Sequence, residues 1–415
     1  MSTDESILFA NNLIYDAPAA SSVTTNRVLK RQQFQNRNYS EGQTATCTLN
    51  TGTDFIDCKN SSLVVTFSLP GDGVDPVTCG FGSGSGMNLV RNIRIYHRSG
   101  TAYTNTQRMN LWRKTEDVYN ESLQWFGTIG RLMGYQTGDS GITGETKESV
   151  PSFTVVIPLN KVHPFFESEG GVFLPAPMAS GLRVEIDLAS VGEAFHALAG
   201  EGFSAPTTYS VTDIYFNTMS VSLMDSSQAS INASAQSQSL EYIYKDIFTS
   251  QNSQPSDSSA LNIDINRSVG FADHATTTIQ LASHINSTAF DSFASVYYPG
   301  SWWYTLGSNQ YPNQKINEEK NAYSTALITY DKFKQANQSP TSVTIASFLA
   351  TNGLYAVSLE RDTALALSQS PVNSSRALRF EATLDAPIGF PALATVFLTY
   401  VCSARSSLLS SKIDI

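Results

Sequence analysis

Residues 79 to 100, CGFGSGSGMNLVRNIRIYHRSG, place Gly80, Gly82, Gly84 and Gly86 in alternate positions and follow them with arginines and a histidine. Loops this rich in glycine cradle phosphate when a lysine and a hydroxyl follow at fixed spacing, or when the loop joins a strand to a helix. Neither condition holds: no lysine follows Gly86, and the next segment, LVRNIRIYH, has the composition of a strand. No serine in the run stands in the G-x-S-x-G spacing of a nucleophile elbow. The run is therefore expected to be a loop with permissive backbone angles that re-enters a sheet.

The five histidines, His97, His163, His196, His274 and His284, make no HxH or HExxH pair, so no zinc site is written in the sequence. Glu116 with Asp117, and Glu318 with Glu319, offer paired carboxylates. Glycosidase carboxylates usually flank their bond from separate strands, whereas adjacent acids read as a solvated face. SWWYTL, residues 301 to 306, could stack a sugar on Trp302 and Trp303, but aromatic anchors in a core or interface are the favoured reading. Cys47, Cys58, Cys79 and Cys402 lack CxxC spacing. If TCTLNTGTDFIDC is a hairpin about Gly52 and Thr53, Cys47 and Cys58 oppose each other at a separation a disulfide accepts; in a reducing compartment they stay free thiols. No catalytic, cofactor-binding or metal-binding residue, and no cofactor, is assigned from sequence.

The elements that must position these residues are read from length and pattern. A chain of 415 residues exceeds one ordinary core, so two domains, or one fold doubled, are expected. Hydrophobic residues make up 41% and charged residues only 15%, so Ser, Thr, Asn, Gln and Gly must cover much of the surface. A net charge of −10 argues against a surface built to grip nucleic acid. One basic stretch, RVLKRQQFQNR with Arg27, Lys30, Arg31 and Arg37, allows at most a local contact, and a solvated arm against a neighbouring subunit is favoured. MSTDESILFANNLIY begins with acids and lacks a basic flank, and FPALATVFLTYVCSA is too short to span a bilayer, so a soluble intracellular product is expected.

The dominant local signal is period two. LRVEIDL at 182 to 188, LRFEATL at 378 to 384, LNIDI at 261 to 265 and FTVVI at 153 to 157 alternate apolar and polar residues, the pattern of strands with one buried face. Two segments read as helices. Trp112, Tyr119, Leu123, Phe126, Ile129 and Met133 line one face of a long or broken helix ending near Gly134; Tyr323, Ala326, Leu327, Tyr330 and Phe333 line another. DSSQASINASAQSQS, residues 225 to 239, is poor in large apolar residues and reads as a connector. Each side of it offers roughly eight strands and one helix, the count of a jelly roll in two facing sheets. The expected fold class is all-β: two tandem eight-stranded jelly rolls, a double jelly roll, with one short helical insertion in each. The expected division is an N-terminal arm at 1–40, a first jelly roll at 41–225, a connector at 226–239 and a second jelly roll at 240–415.

Several stretches also resemble a known family in their order along the chain. They are QFQNRNYSEGQTATCTLNTGTDFIDCKNSSLVVTFSL, FGSGSGMNLVRNIRIYHRSGT leading into NLW, PLNKVHPFF, FLPAPMASGLRVEIDLA, SLERDTALALSQSPVNSSRALRFEATL and VFLTYV. Together they resemble the major capsid proteins of polinton-like viruses and virophages. The second half is compact and long tower insertions are missing, which departs from that pattern. The resemblance implies a double jelly-roll subunit that forms a homotrimer of pseudo-hexagonal outline and tiles an icosahedral shell around a DNA genome. It implies a virion component with a penton protein and cement proteins as partners, and no enzymatic activity. Residues 1 to about 40, with Ile7, Leu8, Phe9, Leu13 and Ile14, are expected to order against neighbouring capsomers or a cement protein. The other readings are a minor or vertex jelly-roll capsid protein, a carbohydrate-binding β-sandwich that uses Trp302 or Trp303, and a cellular adhesin.

Overall fold

Alternation of the LRVEIDL kind dictates a sheet with one face inward, and the computed structural model shows where those faces point. It describes residues 24–69, 78–81, 84–138, 141–144, 146–148, 152–167, 173–197, 206–225, 227, 240–284, 300–330, 344–345, 348, 353–360, 370–373, 376–384, 388–389, 391–406 and 413–414. In the first half the principal strands are β1 (Thr24–Gln33), β2 (Thr44–Thr48), β3 (Phe55–Ser68), β4 (Val90–Tyr96), β5 (Ala102–Thr106), β6 (Ser152–Pro158), β7 (Arg183–Leu188) and β8 (Ser210–Leu223). In the second half they are β9 (Leu240–Gln254), β10 (Ala260–Ile265), β11 (Val269–Leu281), β12 (Ser301–Leu306), β13 (Asn309–Ile316), β14 (Tyr355–Ser358), β15 (Leu378–Thr383) and β16 (Ala392–Ser406).

The principal strands of the first half form two sheets, in the orders β1-β8-β3-β6 and β2-β7-β4-β5, with antiparallel pairing throughout. The second forms β9-β16-β11-β14 and β10-β15-β12-β13, also antiparallel. Adding eight to every label of the first pair of sheets produces the second pair. The chain is one topology used twice, each copy an eight-stranded jelly roll closed by two facing sheets. The alternation has its expected effect. Val184, Ile186 and Leu188 of β7 enter the first core, and Leu378, Phe380 and Ala382 of β15 enter the second.

Each roll carries a helix between its fifth and sixth strands: α1 (Met109–Asn120) in the first and α2 (Glu319–Thr329) in the second. The long apolar stripe of the first half is broken: after α1 come short helical turns at Leu123–Gly127 and Ile129–Leu132, and the chain turns at Gly134 with φ +92°. Trp112, Tyr119, Phe126 and Met133 are buried as the periodicity predicts, whereas Leu123 and Ile129 are exposed, because the breaks rotate them off the common face. In the second stripe Ala326 and Tyr330 are buried and Tyr323 and Leu327 half-buried; Phe333 lies outside the described residues.

Two expectations change. Residues 24 to 33 are not part of an arm; they form the first strand of the first roll and pair with β8 from Leu223 to Tyr215. TTNRVLKRQQ does not alternate because residues 26 to 31 are open on both faces, so the ladder and its ion pairs, not burial, fix the strand. Residues 34 to 40 also belong to the roll, Tyr39 and Ser40 pairing with Val211 and Ser210 of β8, whereas residues 1–23, with Ile7 to Ile14, lie outside the described residues, as does the connector apart from residue 227. Cys47 and Cys58 are also not opposed across a hairpin. Cys47 on β2 pairs with Val184, Cys58 lies on β3 in the facing sheet, and both thiols are free and buried.

Candidate functional site

The polar chemistry of the molecule concentrates where the two rolls meet, and the sequence builds that junction by lending residues in both directions. Val118 and Tyr119 at the end of α1 belong to the apolar core of the second roll, where Tyr119 stacks on Tyr330 with ring centroids 5.4 Å apart. In return Tyr242, Tyr244 and Ile247 of β9, with Phe397 and Ala404 of β16, belong to the core of the first. Side-chain hydroxyls then find backbone acceptors across the seam: Tyr242 donates to Phe165 O at 2.7 Å, Tyr244 to Tyr103 O at 3.0 Å and Thr249 to Gln107 O at 2.8 Å. Apolar burial of these aromatics supplies the adhesion, roughly 2 kcal/mol for each fully buried ring, and the hydrogen bonds fix the register.

Three charged clusters sit in the seam. In the first, Glu116 of α1 accepts from His274 Nε2 at 3.3 Å and from the Tyr330 hydroxyl at 2.9 Å, while His274 Nδ1 faces Asp273 at 3.0 Å and Lys245 reaches Asp273 at 3.2 Å. Burial opposes the charge on His274, but its hydrogen bonds to Asp273 and Glu116 outweigh burial and raise its pKa to about 9. Burial likewise works against the Glu116 carboxylate, and His274 and Arg113 hold its pKa below the usual value. In the second, Asp117 meets Arg113 at 2.9 Å, Lys161 at 3.3 Å and the Tyr135 hydroxyl at 3.2 Å. In the third, Asp246 accepts from the hydroxyls of Thr104 and Tyr400, and burial raises its pKa. His163 beside it accepts from Phe165 N–H through Nδ1 at 2.9 Å and bonds Thr106 through Nε2 at 2.9 Å. Burial, reinforced by the charge on Arg113, pushes the His163 pKa down to about 3, so it is a neutral imidazole. A cleft of about 780 Å³ opens between the first two clusters, walled by Arg113, Glu116, Lys161, Lys245, Asp273 and His274. Opposite charges stand paired along it, an arrangement that fixes the orientation of two bodies.

No family model and no curated protein matches the sequence. Solved structures do match, and over nearly the whole chain. A PBCV-1 Vp54 structure fitted into a reconstruction of the virophage Sputnik is 12% identical with a TM-score of 0.60, covering 94% of this chain and 97% of that one. The major capsid protein of Faustovirus is 7% identical with a TM-score of 0.64, covering 97% and 94%. That of mavirus is 10% identical with a TM-score of 0.52, covering 97% and 94%. The chain has the fold of the double jelly-roll major capsid proteins. The resemblance read from the sequence holds at the level of fold, across both rolls.

The double jelly roll accounts for the residues the sequence singled out. Of the glycine run, Gly80 ends a short strand (Thr78–Gly80), Gly82 lies outside the described residues, and Gly84 and Gly86 lead back into a sheet. Ser85 caps a single 3-10 turn at Gly86–Leu89, which leads into β4. Close packing rather than unusual backbone angles selects glycine there: a Cβ on Gly86 would lie 2.7 Å from Val155 Cγ2 and 3.1 Å from Met133 O. Glu116 and Asp117 are not a solvated face; both are buried and serve different clusters of the seam. Glu318 and Glu319 are exposed at the start of α2. Trp302 and Trp303 alternate along β12. Trp302 is wholly buried among Tyr304, Tyr355 and Phe380, while Trp303 faces out beneath the Lys315 ammonium 3.8 Å from its ring, so the two indoles form no common platform.

The histidines are dispersed. His97 bonds Ser99 in a turn, His196 is in a short strand beside Gly80, His284 ends a 3-10 turn, and His163 and His274 belong to the seam. Among the described residues no group of three or more His, Cys, Asp and Glu could hold a metal ion, and no helix is long and apolar enough to cross a membrane. Arg27, Lys30 and Arg31 are matched within the chain by Asp57, Asp54 and Asp213, and Arg31 also lies over the Tyr215 ring at 3.5 Å; Arg37 is exposed. The seam residues Lys245, Asp246 and Asp273 escaped sequence reasoning, and Tyr330 was read only as part of a helical stripe. They are far from Glu116 and Asp117 in the chain, and only pairing of the two rolls brings them together.

Proposed function

We propose that the chain is a major capsid protein. Its subunit trimerises into a pseudo-hexagonal capsomer, and capsomers tile an icosahedral shell around a DNA genome. The observation that carries this reading is the strand-for-strand duplication of the jelly roll, locked by a seam in which each roll completes the core of the other. Two similar rolls held rigidly side by side give six in a trimer, so a threefold assembly can fill a sixfold position by closed symmetry. Two of the structures it resembles, those of Faustovirus and mavirus, are described as major capsid proteins. On this reading the chain is structural rather than enzymatic and resides in the virion. A penton protein and cement proteins are its partners, and nucleic acid is touched at most locally near the N-terminus. Light scattering of the purified chain tests it: the capsomer reading requires three times 45.1 kDa, and a stable monomer removes it.

A further inference from the structure

A pair of carboxyl groups stands on the wall of the seam cleft, within one chain and independent of how copies assemble. Asp273 is on β11, and Glu360 lies two residues beyond the end of β14. Backbone contacts bring them together: His274 pairs with Ser358 across the two strands, and Leu359 N–H donates to Asp273 O at 2.8 Å. The two side chains hydrogen-bond to one another, and both line the cleft. An ionised carboxylate only accepts hydrogen bonds, so a bond between two carboxyl groups requires a proton on one of them.

The surroundings decide which group carries it. Burial opposes the charge on Asp273, but His274 Nδ1 at 3.0 Å and Lys245 Nζ at 3.2 Å hold its pKa below the usual value, so Asp273 stays ionised. Glu360 is exposed at the mouth of the cleft, and partial burial together with the Asp273 carboxylate raises its pKa above 4.5, against the pull of Lys245 and His274. Glu116, itself bonded to Tyr330, meets the pair through His274, while Arg113 is engaged by Asp117 and Lys161 by Glu121. Among the described lining residues the cations Arg113, Lys161, Lys245 and His274 meet five carboxylates, Glu116, Glu121, Glu167, Asp273 and Glu360. A proton on Glu360 removes that excess.

We propose that Asp273 and Glu360 share one proton, and that this carboxyl pair is a proton-dependent clasp closing the mouth of the seam cleft. Asp273 is held from two sides by His274 and Lys245, so when Glu360 ionises it is the exposed Glu360, with the end of β14, that moves away. Because the folded pKa of Glu360 lies above its ordinary 4.5, its contribution to stability is fully present below pH 4.5 and is lost as pH rises through the folded value. The clasp is closed in mild acid and opens toward alkaline pH.

The test compares the full-length wild type with Glu360→Gln and Glu360→Ala at pH 5 and pH 8. Glutamine donates to Asp273 without carrying a charge, a permanent stand-in for the protonated acid. Residue 360 is exposed, so both variants fold. Glu360→Gln should melt with the wild type at pH 5 and above it at pH 8, whereas Glu360→Ala, which loses the bond, should melt below the wild type at pH 5. The Leu359 amide, bonded to Asp273 O, should exchange with deuterium more slowly in Glu360→Gln than in the wild type at pH 8, and equally fast in the two at pH 5. A melting-temperature difference between wild type and Glu360→Gln that is the same at both pH values would overturn the shared proton. So would a Glu360→Gln protein less stable than the wild type at pH 8, by showing that Glu360 serves as an ion-pair partner of Lys245. Equal Leu359 exchange at pH 8 would overturn the closing of the cleft even where the melting temperatures shift.

Discussion

Glu116 on α1 accepts a hydrogen bond from His274 on β11 at 3.3 Å, so a carboxylate of the first roll and an imidazole of the second are tied inside a buried seam. Each helps hold the other charged, alongside Asp273 for His274 and Arg113 for Glu116. Removing one partner leaves the other charge with fewer partners, Asp273 for His274 or Arg113 for Glu116, at a cost below the roughly 3–5 kcal/mol of a fully orphaned buried charge. Glu116→Leu should therefore lower the melting temperature more than Glu116→Leu combined with His274→Leu, which removes both charges. A double variant that costs the sum of the two singles would show that the pair is not coupled.

The same pair sets an alkaline limit. The folded pKa of His274 is raised from 6.5 to about 9, so its stabilisation is fully present below pH 6.5 and is lost as pH rises through 9; complete, it is worth roughly 3 kcal/mol. Melting temperature should fall across that window in the wild type, and His274→Gln should flatten the fall. An equally steep alkaline limb in the variant would assign it to other groups.

His163 acts in the opposite direction. Its folded pKa is lowered to about 3, so between pH 6.5 and 3 the unfolded chain binds a proton that the folded chain does not, and stability drops as pH falls. Asn at 163 keeps an oxygen to accept from Phe165 N–H but cannot titrate. His163→Asn should be less sensitive to acid than the wild type, as followed by denaturant midpoints at pH 7 and pH 4.

Trp302 and Trp303 separate core from surface on adjacent residues. Trp302→Ala removes a wholly buried ring and should cost about 3–5 kcal/mol, whereas Trp303→Ala, on the outward face, should change stability little. Urea midpoints of the two variants measure the contrast. Near-equal costs would contradict the assigned facing of β12, and saturable glycan binding lost in Trp303→Ala would favour the carbohydrate-binding alternative.

Much of the fold was written locally. LRVEIDL and LRFEATL state their own inward faces because a half-buried strand must alternate, and both turn out to be the seventh strand of a roll, β7 and β15. Strand β1 was missed because nothing buries residues 26 to 31 and so no pattern marks them. The Cys47–Cys58 hairpin failed for a related reason. Symmetry about Gly52 is a local cue, but β2 and β3 are sent to opposite sheets by the topology. The seam was the least legible part. Buried charges such as Glu116 and Asp117 have the composition of surface residues, and only the partner roll reveals that they are covered.

A capsomer of this chain must hold six rolls in a closed ring. Negative-stain images of the purified protein, taken from the peak whose mass is measured by light scattering, test that directly. The prediction is a particle with a six-lobed, pseudo-hexagonal outline and three times the 45.1 kDa chain mass. Two-lobed particles at the mass of a single chain, persisting at high protein concentration, would contradict it.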